Sequence, residues 1–161
     1  MSDVGFGLER IRWCINNESY FNLYSDSKEI LPEIKAYLSV IALLMVNGVK
    51  PSNKNSGYRA RLFSKRLVNL LDGIELTGTL QNYLYECIRY WKDWQEINKK
   101  VDIDIIQNEY TRNCNRYIIE KLKSEGYNNI SGININISRE ELKRRLASSG
   151  VEKEKIKKLI R

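Results

Sequence analysis

The sequence predicts an all-α fold, a helical bundle of about five to six helices. Two observations carry this. Apolar residues recur at steps of three and four along most of the chain, the mark of helices with one buried stripe. The segments so marked stop at residues that end helices: Gly48, Asp72-Gly73, Gly126 and Gly150. With 161 residues and 42% apolar side chains, the chain can bury a core. Two units are expected: a helical domain over 1–127 and a small basic helical module over 128–161.

Taken in order, Gly5 and Gly7 precede a first helical pattern of Leu8, Ile11 and Ile15, flanked by Trp13 and Cys14. Residues 17–28 are polar and aromatic and read as a loop packed down by Tyr20, Phe21 and Tyr24. Pro32 suits the first turn of a helix. Ile34, Leu38, Ile41 and Met45 then repeat on one face, widened by Tyr37, Val40 and Leu44, so this helix is expected to be central. The next helix is expected from about Tyr58 to Leu71. Its core arc would be Phe63, Leu67, Leu70 and Leu71, with Tyr58, Arg61 and Lys65 opposite. Leu80, Leu84, Cys87, Trp91 and Trp94 mark another helix. VDIDII (101–106) alternates like a strand, yet Ile106, Tyr110, Cys114, Tyr117 and Leu122 continue at helical spacing, so the segment reads as helix. Residues 128–137 read as a loop, with a short strand as the alternative. Ser138-Arg139-Glu140-Glu141 is a capping box. It opens a short basic helix, broken at Gly150, and Val151–Arg161 makes the last one. The aromatic residues are assigned to core packing ahead of base stacking.

Net charge is +7, and it is unevenly placed. Lys50 to Arg66 carries +6, and Lys143 to Arg161 another +6, so the remainder is net acidic at −5. Two basic segments on an acidic chain point to a polyanion, nucleic acid before membrane. A Lys-rich tail is equally compatible with a solubilising role. Cys14, Cys87 and Cys114 are far apart and form no C-x-x-C pair, which suits free buried thiols in a reducing compartment. The absence of histidine removes Ser-His and Cys-His nucleophile systems and most zinc sites. No metal or cofactor is expected. Val40–Val46 is too short an apolar run to span a bilayer and no signal peptide is evident. A cytoplasmic, membrane-free chain is expected.

The densest functional signal is Gly48–Leu62. Pro51, Ser52, Asn53, Asn55 and Gly57 supply turn chemistry and hydrogen-bonding groups. Lys50, Lys54, Arg59, Arg61, Lys65 and Arg66 supply cations, with no Asp or Glu among them. A solvated connection between helices has the same composition. One local conflict favours a ligand. Arg61 and Lys65 are like charges one turn apart, which repel by roughly 0.2–0.5 kcal/mol unless an anion lies between them.

These residues resemble the alanyl-tRNA synthetase family, in order as well as content. Gly5-Phe6-Gly7-Leu8-Glu9-Arg10 is similar to the family's G-x-G-L-E-R, the close of the third class II motif. Asn47-Gly48-Val49-Lys50-Pro51-Ser52-Asn53-Lys54-Asn55-Ser56-Gly57-Tyr58-Arg59-Ala60-Arg61 is similar to its D-G-V-x-P-S-N-x-x-x-G-Y-x-x-R stretch. The likeness covers roughly residues 1–72, with Lys54 standing where the family has Glu and Asn55 where it has Gly. It implies a tRNA-recognition domain that binds the tRNA acceptor stem, alanine tRNA above all. Lys50, Ser52, Asn53, Lys54, Asn55, Tyr58, Arg59, Arg61, Lys65 and Arg66 would form the contact surface. The residue matching Asn53 helps read a G·U pair near the end of that stem. A second reader, an Asp in the family, falls at Ala147 here, so one of the two contacts is missing.

Arg10 resembles the arginine that holds ATP, an ATP-site remnant. The earlier catalytic motifs and the editing domain's zinc site have no counterpart here, so adenylation by this chain alone is not expected. The leading expectation is therefore a free-standing tRNA-binding module without catalysis. The alternative is a tRNA-binding subunit of a split aminoacyl-tRNA synthetase or aminoacyl-transfer complex, completed by a catalytic protein partner. A third is an adaptor that binds a protein through the Trp91/Trp94 helix.

Overall fold

The computed structural model describes residues 30–160. The expectations for Gly5, Gly7, Glu9, Arg10, Cys14 and the loop at 17–28 lie outside them. Within the described residues the chain is all-helical. Its elements are α1 (Pro32–Val46), α2 (Asn55–Leu70), α3 (Thr79–Trp94), α4 (Ile103–Ser124), a 3₁₀ turn (Asn128–Ile130), α5 (Arg139–Ser148) and α6 (Lys153–Leu159).

Helix α1 is the hub, packed against both α2 and α3. Pro32 sits in its first turn, where a missing N–H costs nothing. Ile34, Leu38, Ile41, Ala42, Met45 and Val46 are buried, while Val40 lies exposed beside them. The helix ends at Asn47, whose Nδ2 donates to the Leu43 carbonyl at 2.9 Å and to Gln95 Oε1 at 3.2 Å, tying the ends of α1 and α3 together. Gly48 then adopts φ +73°, a backbone state that a Cβ disfavours. On α3, Tyr83, Leu84, Cys87, Ile88 and Trp91 are buried. Trp91 Nε1 donates to the Ser39 carbonyl at 3.1 Å, which satisfies a buried polar group across the α1–α3 contact. Trp94 was expected in this stripe but closes the helix at 56% exposure, edge-on to Trp91.

Two apolar cores meet along α4. The first joins α1, α2, α3 and the first half of α4 through Ile106, Tyr110 and Cys114. The second takes Ile118, Ile119 and Leu122 from the rest of α4 and adds Ile130, Leu142, Leu146, Val151 and Ile156. Burying each such side chain stabilises by about 1.5–3 kcal/mol. Arg139, at the start of α5, is buried between the two. Its Nε pairs with Glu75 at 3.0 Å and its Nη2 donates to the Gly73 carbonyl.

The structure departs from several expectations drawn from the sequence. Helix α2 starts at Asn55, three residues before Tyr58, and ends at Leu70. Its buried face is Gly57, Ala60, Ser64, Leu67 and Val68, whereas Leu70 is 44% exposed. Among the small residues, Ser64 faces α4, where Asn113 donates to it, and Gly57 lies under the loop against Ser52 and Lys50. Helix α4 begins at Ile103, so Val101 and Asp102 precede it. Residues 128–137 hold the 3₁₀ turn and irregular backbone, with no strand. The Ile135 and Ile137 carbonyls are taken instead by Asn115 Nδ2, at 3.0 and 2.8 Å. Ser138 caps α5 by accepting from the Glu141 N–H at 3.2 Å. Glu141 does not return the bond; its carboxylate pairs with Arg145 at 2.9 Å.

Candidate nucleic-acid interface

The loop between α1 and α2 is held by its own short-range bonds. The Ser52 N–H donates to the Gly57 carbonyl at 3.1 Å, folding the loop back on the first turn of α2. Ser52 Oγ donates to the Lys54 carbonyl at 3.0 Å and accepts from the Lys54 N–H at 3.3 Å. Ser52 is thus occupied in shaping the turn. Asn55 stands at φ +50°, in the left-handed region. Asparagine and glycine reach that region at little cost, which is why Asn can stand where the resemblance has Gly.

On this frame, Ser52, Asn53, Lys54, Asn55, Tyr58, Arg59, Lys65 and Arg66 are exposed, and so is Lys50. Tyr58 is 54% exposed at the start of α2, on the solvent side. Among the described residues, Lys50, Lys54, Arg59, Lys65 and Arg66 form no ion pair. These sequence-selected residues are thus all exposed along the loop and α2, with Arg66 lining a groove beside Glu33 and Tyr37 of α1.

Arg61 differs from the rest. Its Nε pairs with Glu109 Oε1 on α4 at 3.0 Å, and its Nη1 donates to Asn53 Oδ1. The repulsion argued from Arg61 and Lys65 is thus relieved from within the chain, by an acid that sequence inspection did not single out. Glu109 also pairs with Arg112 at 3.3 Å and accepts from Asn113 Nδ2 at 3.4 Å. Asn113 in turn donates to the buried Ser64 Oγ at 3.1 Å. A cleft of about 530 Å³ opens beside this network, lined by Pro51, Asn108, Thr111, Arg112 and Asn136 among others.

The C-terminal basic segment is mixed: Lys153, Lys157 and Lys158 are exposed and form no ion pair among the described residues. Lys143, Arg144, Arg145 and Lys155 each pair with a glutamate. Ala147 is exposed in the last turn of α5. Burial pushes the Cys87 and Cys114 thiols up to about 12, so both stay protonated near neutral pH. Among the described residues, no group of three or more His, Cys, Asp or Glu could hold a metal ion. Among them, too, no helix is long and apolar enough to cross a membrane.

The fold and this surface define a helical bundle with a cation-rich, conformationally fixed loop. Comparison with known proteins adds a likeness to part of one enzyme family. The chain is 30% identical over 83 residues to the alanine–tRNA ligase of Sulfurisphaera tokodaii, covering 50% of this chain and 9% of that ligase. It is 30% identical over 91 residues to the alanine–tRNA ligase of Thermofilum pendens, covering 54% of this chain and 10% of the ligase. The chain thus spans about a tenth of the length of these relatives. No protein-family profile and no solved structure matches it.

Proposed function

We propose that this chain is a tRNA-binding module directed at the acceptor stem, without catalysis of its own, and that alanine tRNA is its partner. One observation carries the reading. Exposed cations with no ion-pair partner among the described residues share the loop and α2 with Asn53, whose carbonyl oxygen accepts from Arg61, while Lys143, Arg144 and Arg145 of α5 each pair with a glutamate. Lys50, Lys54, Arg59, Lys65 and Arg66 contact phosphates and set affinity and its salt dependence. Asn53 and Asn55 reach base edges or 2′-hydroxyls across the wide, shallow minor groove of A-form RNA, with Tyr58 against the sugar edge. The likeness to a portion of alanine–tRNA ligases supports tRNA as the polyanion. The test is Asn53→Ala measured on alanine tRNA and on a non-cognate tRNA. The expected result is a loss of selectivity with most non-selective affinity retained. A variant as selective as the parent chain would rule out base reading by this loop.

A further inference from the structure

We infer that Arg61 and Glu109 are positioning residues that present Asn53 to RNA as a hydrogen-bond donor, so that the loop selects an acceptor on the ligand; this rests on the tRNA-binding reading above. Arginine carries five N–H donors and no acceptor. The Asn53 atom facing Arg61 Nη1 is therefore its carbonyl oxygen, and the amino group remains for a ligand.

Arg61 is not free to leave that position. Its Nε is bound at 3.0 Å to Glu109, a carboxylate whose side chain is only 10% exposed. A carboxylate so sheltered is costly without its counter-charges, which holds the guanidinium in place. Glu109 is itself braced by Arg112 and Asn113 from its own helix, and Asn113 is anchored on Ser64 of α2. The chain of contacts thus runs from the α2–α4 packing interface to the loop, with Asn53 at its solvent end.

The chemistry of the ligand follows. Minor-groove base edges offer purine N3 and pyrimidine O2 as acceptors, and each ribose adds a 2′-oxygen, whereas the guanine 2-amino group is a donor. A fixed amino group donates to the first three and finds no acceptor in the last. Arg61, despite its charge, adds no phosphate contact.

Two measurements decide this. In the RNA-free protein, the Asn53 side-chain amide resonances should differ from solvent-averaged values. They should move to those values in Glu109→Ala and only part-way in Glu109→Gln, which keeps an acceptor for Arg61. Circular dichroism melts identify any variant that has simply unfolded. Unmoved resonances in a folded Glu109→Ala would overturn the positioning role. The second measurement uses alanine acceptor-stem hairpins in which single acceptors are removed by 3-deazapurine or 2′-deoxy substitution. The parent chain should lose about tenfold in affinity at one position, and both Asn53→Ala and Glu109→Ala should lose that sensitivity. The double variant should be no worse than Asn53→Ala alone. Arg61→Gln should lose discrimination with an unchanged salt slope; a slope lower by about one would make Arg61 a phosphate contact and contradict the inference. A parent chain that binds no hairpin beyond a basic control protein would sink the tRNA reading and donor selection on RNA with it, leaving the amide resonances to decide the positioning role.

Discussion

Ser52 and Gly57 are in contact so close that position 57 has no room for a side chain. A Cβ there would overlap Ser52 Oγ and come within 2.5 Å of the Lys50 carbonyl oxygen. The loop carrying Asn53 is therefore folded onto the first turn of α2 by the absence of a methyl group. Gly57→Ala should destabilise the chain by about 1–3 kcal/mol, through overpacking against backbone that cannot yield. It should also weaken RNA binding by displacing Asn53. Urea unfolding together with an RNA titration checks both effects; a stable variant that binds normally would mean the loop tolerates another path.

The proposed phosphate contacts differ in their salt signature. Lys54→Gln and Lys65→Gln should each reduce the slope of log affinity against log salt by about one, with uniform losses across tRNAs. Lys143→Gln, at a lysine already paired with Glu140 at 2.9 Å, should leave the slope unchanged. Titrations at several salt concentrations distinguish the two groups, and equal slopes for all three variants would remove the distinction drawn here.

Asn115 is fully buried and holds the carbonyls of Ile135 and Ile137. Asn115→Ala should cost about 1–3 kcal/mol, because both partly buried carbonyls lose their partner and the fully buried Asn115 side chain leaves a gap. Amide exchange should quicken in α5 and α6 and remain slow in α1 and α3, because Asn115 ties the segment leading into α5 to α4. Uniform loss of protection would show instead that the two cores unfold as one.

Burial raises the Cys87 and Cys114 thiols from an ordinary value of 9.0 to about 12. The sign of the pH effect follows from linkage. Above about pH 9 the unfolded chain releases these protons while the folded chain keeps them, so stability falls as pH rises toward 12. In a Cys14→Ser background, alkylation at pH 8 should be slow until denaturant is added. Rapid labelling of the native protein would contradict the burial of both thiols.

The sequence spoke most clearly where structure is local. Pro32 and Gly48 bracket α1, and the spacing of Ile34, Leu38 and Ile41 identifies its buried face, because one helix and one stripe fix those features. It was silent where partners come from afar. Glu109 meets Arg61 across 48 positions, and only the unexplained clash between Arg61 and Lys65 hinted that an anion was missing. The buried side of α2 was only partly legible: Leu67 is buried and Phe63 and Leu71 pack on the core, but Leu70 is exposed. Large apolar residues suggested one arc, but Gly57 is buried under the loop at Ser52 and Lys50, and Ser64 is buried against α4 with its hydroxyl satisfied by Asn113. The loop cations were legible from composition alone. Which of them remain unpaired was not, since that depends on where α4 and α5 place their acids.

The most direct measurement is a binding titration of the full chain against a set of purified tRNAs, alanine tRNA included, at low and moderate salt. Alanine tRNA should be bound more tightly than the others, and this preference should persist at moderate salt, where base contacts outlast phosphate attraction. Weak binding, equal for all tRNAs and abolished by salt, would contradict it.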